Sequence, residues 1–105
     1  MSEDRRRGDR VEINREFRTF EALVEEFVSD VSEQGAFIRT KQPRPVGDEI
    51  RFRLAVMDGE LETLEGVGVV RRVQDDPPGM AIEFREIAAH SRHVLSRLLE
   101  RKARG

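Results

Sequence analysis

The chain has no cysteine, no tryptophan and no tyrosine, and only two histidines. Without cysteine it can form neither a disulfide nor a thiolate metal site. His90 and His93 fall at helical spacing with Glu86, but no further ligand is evident nearby, so they read as an exposed helix edge and no metal is expected. Without Trp or Tyr, the aromatic platforms on which nucleic-acid bases stack are reduced to Phe. No run is apolar and long enough to span a bilayer, and the charged N-terminus leads into no signal-peptide core. No membrane insertion and a cytoplasmic location are therefore the default expectations. Positive charge is not in excess either: 19 basic residues face 21 acidic ones, for a net charge of −2. That balance argues against a general DNA or RNA binder.

What is present fits one small domain. The 105 residues leave no room for a second core, and 37% hydrophobic content suffices for one. The core is expected to draw on Val, Ile, Leu and the six Phe. Lys occurs only at Lys41 and Lys102, so 17 of the 19 basic residues are Arg. The guanidinium fork suits two-pronged recognition of phosphate and guanine. For most of these arginines compositional bias is the preferred reading.

Residues 1–10 are polar, with no apolar anchor, and read as a flexible Arg-rich N-terminal arm. Residues 11–105 read as the folded domain. Val11 and Ile13, continuing through Arg15 and Phe17, alternate with polar residues as in a half-buried strand. Phe17, Phe20, Val24, Phe27 and Val31 then fit a helical stripe, so periodicity alone favours a helix over Phe17 to Val28. Asp30 to Gly35 is a polar turn, followed by the β-prone run Ala36 to Thr40. Pro43 and Pro45 make Lys41 to Asp48 a loop. Ile50 to Val56 alternates cleanly as a strand, and Asp58-Gly59 suggests a type I′ hairpin turn. Leu61 to Val73 is a long strand with a bend or bulge expected at Gly66 and Gly68. Asp75 to Gly79 is a turn, and Met80 to Phe84 a last strand. Ile87, Val94, Leu95, Leu98 and Leu99 predict an amphipathic helix over Ala88 to Lys102, with Ser91 able to cap a shorter one. Short strands followed by one helix suggest a small barrel or strongly curved sheet closed by that helix.

Two polar clusters stand out against this frame. Arg5-Arg6-Arg7-Gly8-Asp9-Arg10 contains an Arg-x-x-x-Arg pair, Arg6 and Arg10, directly before the first strand. Asp30-Val31-Ser32-Glu33-Gln34-Gly35 follows about twenty residues later. Each is a weak signal alone. Together with Gly35 to Thr40, Pro45-Val46-Gly47 and Gly79 to Phe84, they resemble the PilZ domain, a bacterial receptor module for cyclic di-GMP. The likeness is to its single-domain, myxobacterial-type members and runs from Arg6 to about Leu99. With little chain ahead of Arg6, no upstream anchoring element is expected.

The resemblance implies a six-stranded antiparallel β-barrel with a C-terminal α-helix. On the family pattern, and against the helical periodicity, Phe17 to Val28 is read as strand, a turn near Thr19 to Ala22, then strand. The resemblance also implies site roles. Arg6 would engage a guanine edge or face and Arg10 would hold phosphate, with Arg7 adding a phosphate contact. Asp30 would accept from guanine N1 and N2, and Ser32 would bond phosphate or the adjoining base. Gly35 would shape the turn and let the backbone approach closely.

The function implied is a cyclic di-GMP receptor, without a cofactor, that relays the second messenger to an unidentified protein effector as its arm becomes ordered. Motility, adhesion and polysaccharide export are the settings expected for it. The alternative is a PilZ-fold adaptor that works through its surfaces without nucleotide. An RNA-binding small barrel is a more remote reading. Catalysis is not expected: nothing pairs Ser29, Ser32, Ser91 or Ser96 with a histidine and carboxylate, and Asp75-Asp76 reads as a solvated turn. The Leu95, Leu98 and Leu99 stripe reads as core packing; any part left exposed would be the leading candidate for a homodimer contact.

Overall fold

The computed structural model of the chain describes residues 10–104. Arg6, Arg7 and the rest of the expected arm lie outside the described residues, as does the side chain of Arg10. The elements in order are β1 (Arg10–Phe17), α1 (Phe20–Glu26), β2 (Val28–Ser29), β3 (Gly35–Arg39), β4 (Glu49–Asp58), β5 (Glu60–Asp75) and β6 (Pro78–Ile87). A 3-10 turn, Ala89–Ser91, then leads into α2 (Arg92–Arg104).

The six strands form one curled, half-barrel sheet in the order β1-β4-β5-β6-β3-β2. The strand count and the closing C-terminal helix are those expected from sequence. Four neighbouring pairs are antiparallel, whereas β1 runs parallel to β4, from Arg10 beside Glu49 to Phe17 beside Val56. A parallel pair needs a crossover between its strands. Here α1, β2, β3 and the loop up to Asp48 provide it. A bulge lies opposite Val67 and Gly68, close to the glycines where one was expected, but its unpaired residue is Arg85 of β6; the extra residue within β5 is Arg71, between Val70 and Arg72. Each inserts an unpaired residue and bends the strand, which gives the sheet its curl.

The Phe17 to Val28 segment corrects the sequence reading. It is not strand-turn-strand: Phe20–Glu26 is a helix. Thr19 caps it, its Oγ1 accepting from the Ala22 backbone N–H at 3.0 Å. Phe20 and Leu23 lie one turn apart and are fully buried, so the 3.6-residue period was the correct signal and the family pattern misled. The C-terminal end is satisfied from another strand. The Arg39 guanidinium donates to the Val24 and Glu25 carbonyls at 2.6 and 2.5 Å, groups that a helix end leaves without intrahelical partners.

The β4–β5 hairpin is also tighter than predicted. Asp58 pairs directly with Glu60, leaving Gly59 alone at the tip with φ +86°, a conformation suited to glycine.

The core lies between the inner face of the sheet and the two helices. Ile50, Phe52, Leu54 and Val56 of β4 alternate inward against Leu23, Phe27, Ile38, Leu64, Val70 and Ile82. Val94, Leu95 and Leu98 of α2 join the same cluster, and Leu99 packs partly against it. Leu95 and Leu98 of that apolar stripe are core, and Leu99 stays half-buried.

Helix α2 starts at Arg92 rather than Ala88, and the preceding Ser91 does not serve as the expected cap. Its buried hydroxyl donates to the Thr63 carbonyl at 2.6 Å and accepts from the Glu65 N–H at 2.8 Å, which fastens the helix entry to β5. Further along, Arg97 pairs with Glu62 and lies 4.4 Å from the Phe20 ring centroid, joining α2 to β5 and α1.

Candidate functional site

The Asp30 to Gly35 turn hangs between β2 and β3 and is anchored by Val31, which is buried in the core. Asp30 takes φ +50°, a left-handed conformation that aspartate tolerates better than most residues. Ser32 closes the turn. Its Oγ accepts from the Gln34 and Gly35 N–H groups at 3.1 and 3.2 Å, and its own N–H donates to the Gly35 carbonyl at 2.8 Å. Gly35 lies against β6 so closely that a Cβ would stand 2.1 Å from the Ile82 carbonyl oxygen. The Phe84 N–H donates to the Gln34 carbonyl at 2.7 Å and holds the turn to the same strand.

The turn therefore accounts for Ser32 and Gly35 by backbone geometry. It does not account for Asp30. That side chain is exposed, and its carboxylate forms no hydrogen bond or ion pair with any described residue. It borders a hollow of about 350 Å³ together with Ser32, Gly35, Phe37, Arg71, Arg72 and Glu83.

Arg71, Arg72 and Glu83 were not singled out from sequence. Arg71 Nε lies 2.5 Å from Glu83 Oε1, with both side chains about half exposed. Arg72 is held by Gln74, donating to its side-chain oxygen at 2.8 Å. The signal was present as a break in period: Val69-Val70-Arg71-Arg72-Val73 does not alternate, and the β5 irregularity falls at that doublet.

The root of the N-terminal arm is in register with this hollow. Arg10 pairs with Glu49, Glu49 with Val69, Val69 with Glu83, and Glu83 with Gly35. One transverse row thus links the start of β1 to the motif glycine. Four strand steps amount to roughly 19 Å along the sheet, and the straight-line distance is shorter because the sheet curls.

A larger hollow, about 620 Å³, opens on the same outer face towards the β6–α2 junction. Among the described residues no three His, Asp or Glu side chains gather to hold a metal. His90 is exposed, its Nε2 lying 3.7 Å from Glu65 Oε2. No described helix is long and apolar enough to cross a membrane.

Comparison with curated proteins returned no match. The PilZ domain family model matches residues 4–101, a span that includes Arg6, Arg7 and Arg10, the Asp30 to Gly35 turn, all six strands and most of α2. The chain belongs to the PilZ domain family.

Proposed function

We propose that this PilZ domain is a cytoplasmic receptor for cyclic di-GMP that passes the signal to a protein partner. PilZ domains are binding and adaptor modules, and the chain carries both of the polar motifs that the sequence likeness associates with the ligand. The observation that carries the reading is the Asp30 carboxylate. It has no partner among the described residues and stands at the rim of a hollow that also holds Arg71 and Arg72.

Cyclic di-GMP presents two phosphates and two guanines. A free carboxylate is matched to the guanine N1 and N2 donors, an edge that a site for phosphate alone would not need. Guanidinium groups take phosphate oxygens, or guanine O6 and N7, two at a time. In this proposal Arg71 adds to the set from the barrel side, with Arg6, Arg7 and Arg10 closing from the arm.

The register row supports such a meeting. Arg6 is four residues from Arg10, so extended chain carries it up to roughly 13 Å from the start of β1 before its side chain adds reach. Ligand bridging Arg6 and Arg10 to Asp30 and Ser32 would fix the arm across the outer face of the sheet. The fixed arm then offers a partner a new surface, at an ordering cost that lowers affinity. Motility, adhesion or polysaccharide export would be the processes governed.

A second reading, a nucleotide-independent adaptor, has one observation in its favour: Ser32 and Gly35 are both accounted for by the turn. Amide NMR during a cyclic di-GMP titration separates the two. Saturable shifts at Asp30 to Gly35 and at Arg71 and Arg72 are expected of a receptor. Unchanged spectra at millimolar ligand would leave the adaptor.

A further inference from the structure

The larger hollow on the outer face belongs to neither polar motif. Its centre is a second transverse row, in which Glu12 pairs with Arg51, Arg51 with Val67, and Val67 with Glu86. The row below it sets Asn14 beside Arg53 and Arg53 beside Glu65. The entry to α2 closes one end, where Arg92 reaches the rim. The volume of about 620 Å³ lies within the range of small-molecule sites.

The charges lining it are unevenly satisfied. Arg53 is paired with Glu65, Nε to Oε2 at 3.0 Å. The guanidiniums of Arg51, Arg85 and Arg92, from β4, β6 and α2, have no hydrogen-bond or ion-pair partner among the described residues. Each remains a set of donors without an acceptor. Three such groups converging from separate elements suit an anion that accepts several hydrogen bonds at once, which phosphate does. Acceptors line both sides: Glu12 of β1 and Glu86 of β6 only accept, and Asn14 both accepts and donates. Between the two sides lies the half-buried Val67.

We propose that this groove is a second ligand site, for a nucleotide-class molecule whose phosphate lies against Arg51, Arg85 and Arg92. Its ring rests on Val67 with polar edges towards Glu12 and Asn14. The site stands apart from the Asp30 hollow and does not depend on what binds there.

Equilibrium dialysis of the full chain carrying Asp30→Ala tests it, with GMP as the probe and inorganic phosphate as the comparison. The substitution weakens the first hollow, so binding that survives it and falls with the groove arginines reports the groove. Saturable GMP binding is expected, weakened at least about tenfold by either Arg51→Ala or Arg85→Ala. Arg51→Lys, which keeps the charge but loses the fork, should weaken it as well. Circular dichroism of each variant confirms that the fold is retained, and the two alanine variants report independently. Three results would overturn the assignment: no saturable GMP binding, binding unchanged in both arginine variants, or inorganic phosphate binding as tightly as GMP.

Discussion

Arg71 and Glu83 face each other across the β5–β6 pair, Nε to Oε1 at 2.5 Å, on the wall of the hollow that the Asp30 carboxylate borders. Both side chains are about half exposed, so the pair adds little to stability. Its position matters more than its strength. In the proposed receptor, a guanidinium held on a strand at the edge of the hollow would meet a ligand phosphate or guanine.

Arg71→Ala should therefore separate binding from folding. Cyclic di-GMP affinity is expected to fall about tenfold or more, as for loss of a charge-assisted hydrogen bond. The melting temperature should move by less than about 4 °C, since exposed substitutions of this kind cost around 0.5 kcal/mol. Calorimetric titration and thermal melting check both. A large fall in melting temperature would assign Arg71 to the scaffold instead.

Gly35→Ala should behave in the opposite way. The added Cβ would stand 2.1 Å from the Ile82 carbonyl oxygen, so β3 and β6 must part locally to admit it. Overpacking of this kind costs about 1–3 kcal/mol, and chemical denaturation measures it. An unchanged denaturation midpoint would mean that the close approach of the two strands is wrong.

Helix α1 has its own test. Thr19→Ala removes the acceptor for the Ala22 N–H and should cost about 1 kcal/mol. Leu23→Ala, at a fully buried position, should cost about 2–5 kcal/mol. Denaturant unfolding of both variants decides between helix and hairpin. A neutral Thr19→Ala would favour the strand-turn-strand reading that the structure replaces.

Much of the architecture was legible because strands and turns announce themselves locally. The alternation from Ile50 to Val56 and the loop with Pro43 and Pro45 stand where sequence puts them, and the turn expected over Asp75 to Gly79 narrows to Asp76-Pro77, its flanks joining β5 and β6. The α1 segment was legible too: Phe20 and Leu23 keep helical spacing and Thr19 is a good cap, local signals that the family pattern of strand, turn and strand runs against. What could not be read was long-range. The parallel run of β1 beside β4 depends on where the crossover returns the chain. Ser91 has the chemistry of a cap, and only the fold brings Thr63 and Glu65 within its reach. Of the site, the Asp30 to Gly35 turn was visible as a motif. Arg71 joins it only because β5 and β6 pair with an irregularity at that point.

The central claim is that Asp30 and the arm arginines act on one ligand from the two ends of a register row. Isothermal calorimetry with cyclic di-GMP on the wild type and on Arg6→Ala, Arg10→Ala and Asp30→Ala addresses it most directly. Saturable wild-type binding is expected, lost or weakened by at least about tenfold in all three variants with no loss of fold. Equal affinity across the four proteins, or no wild-type binding, would contradict the account.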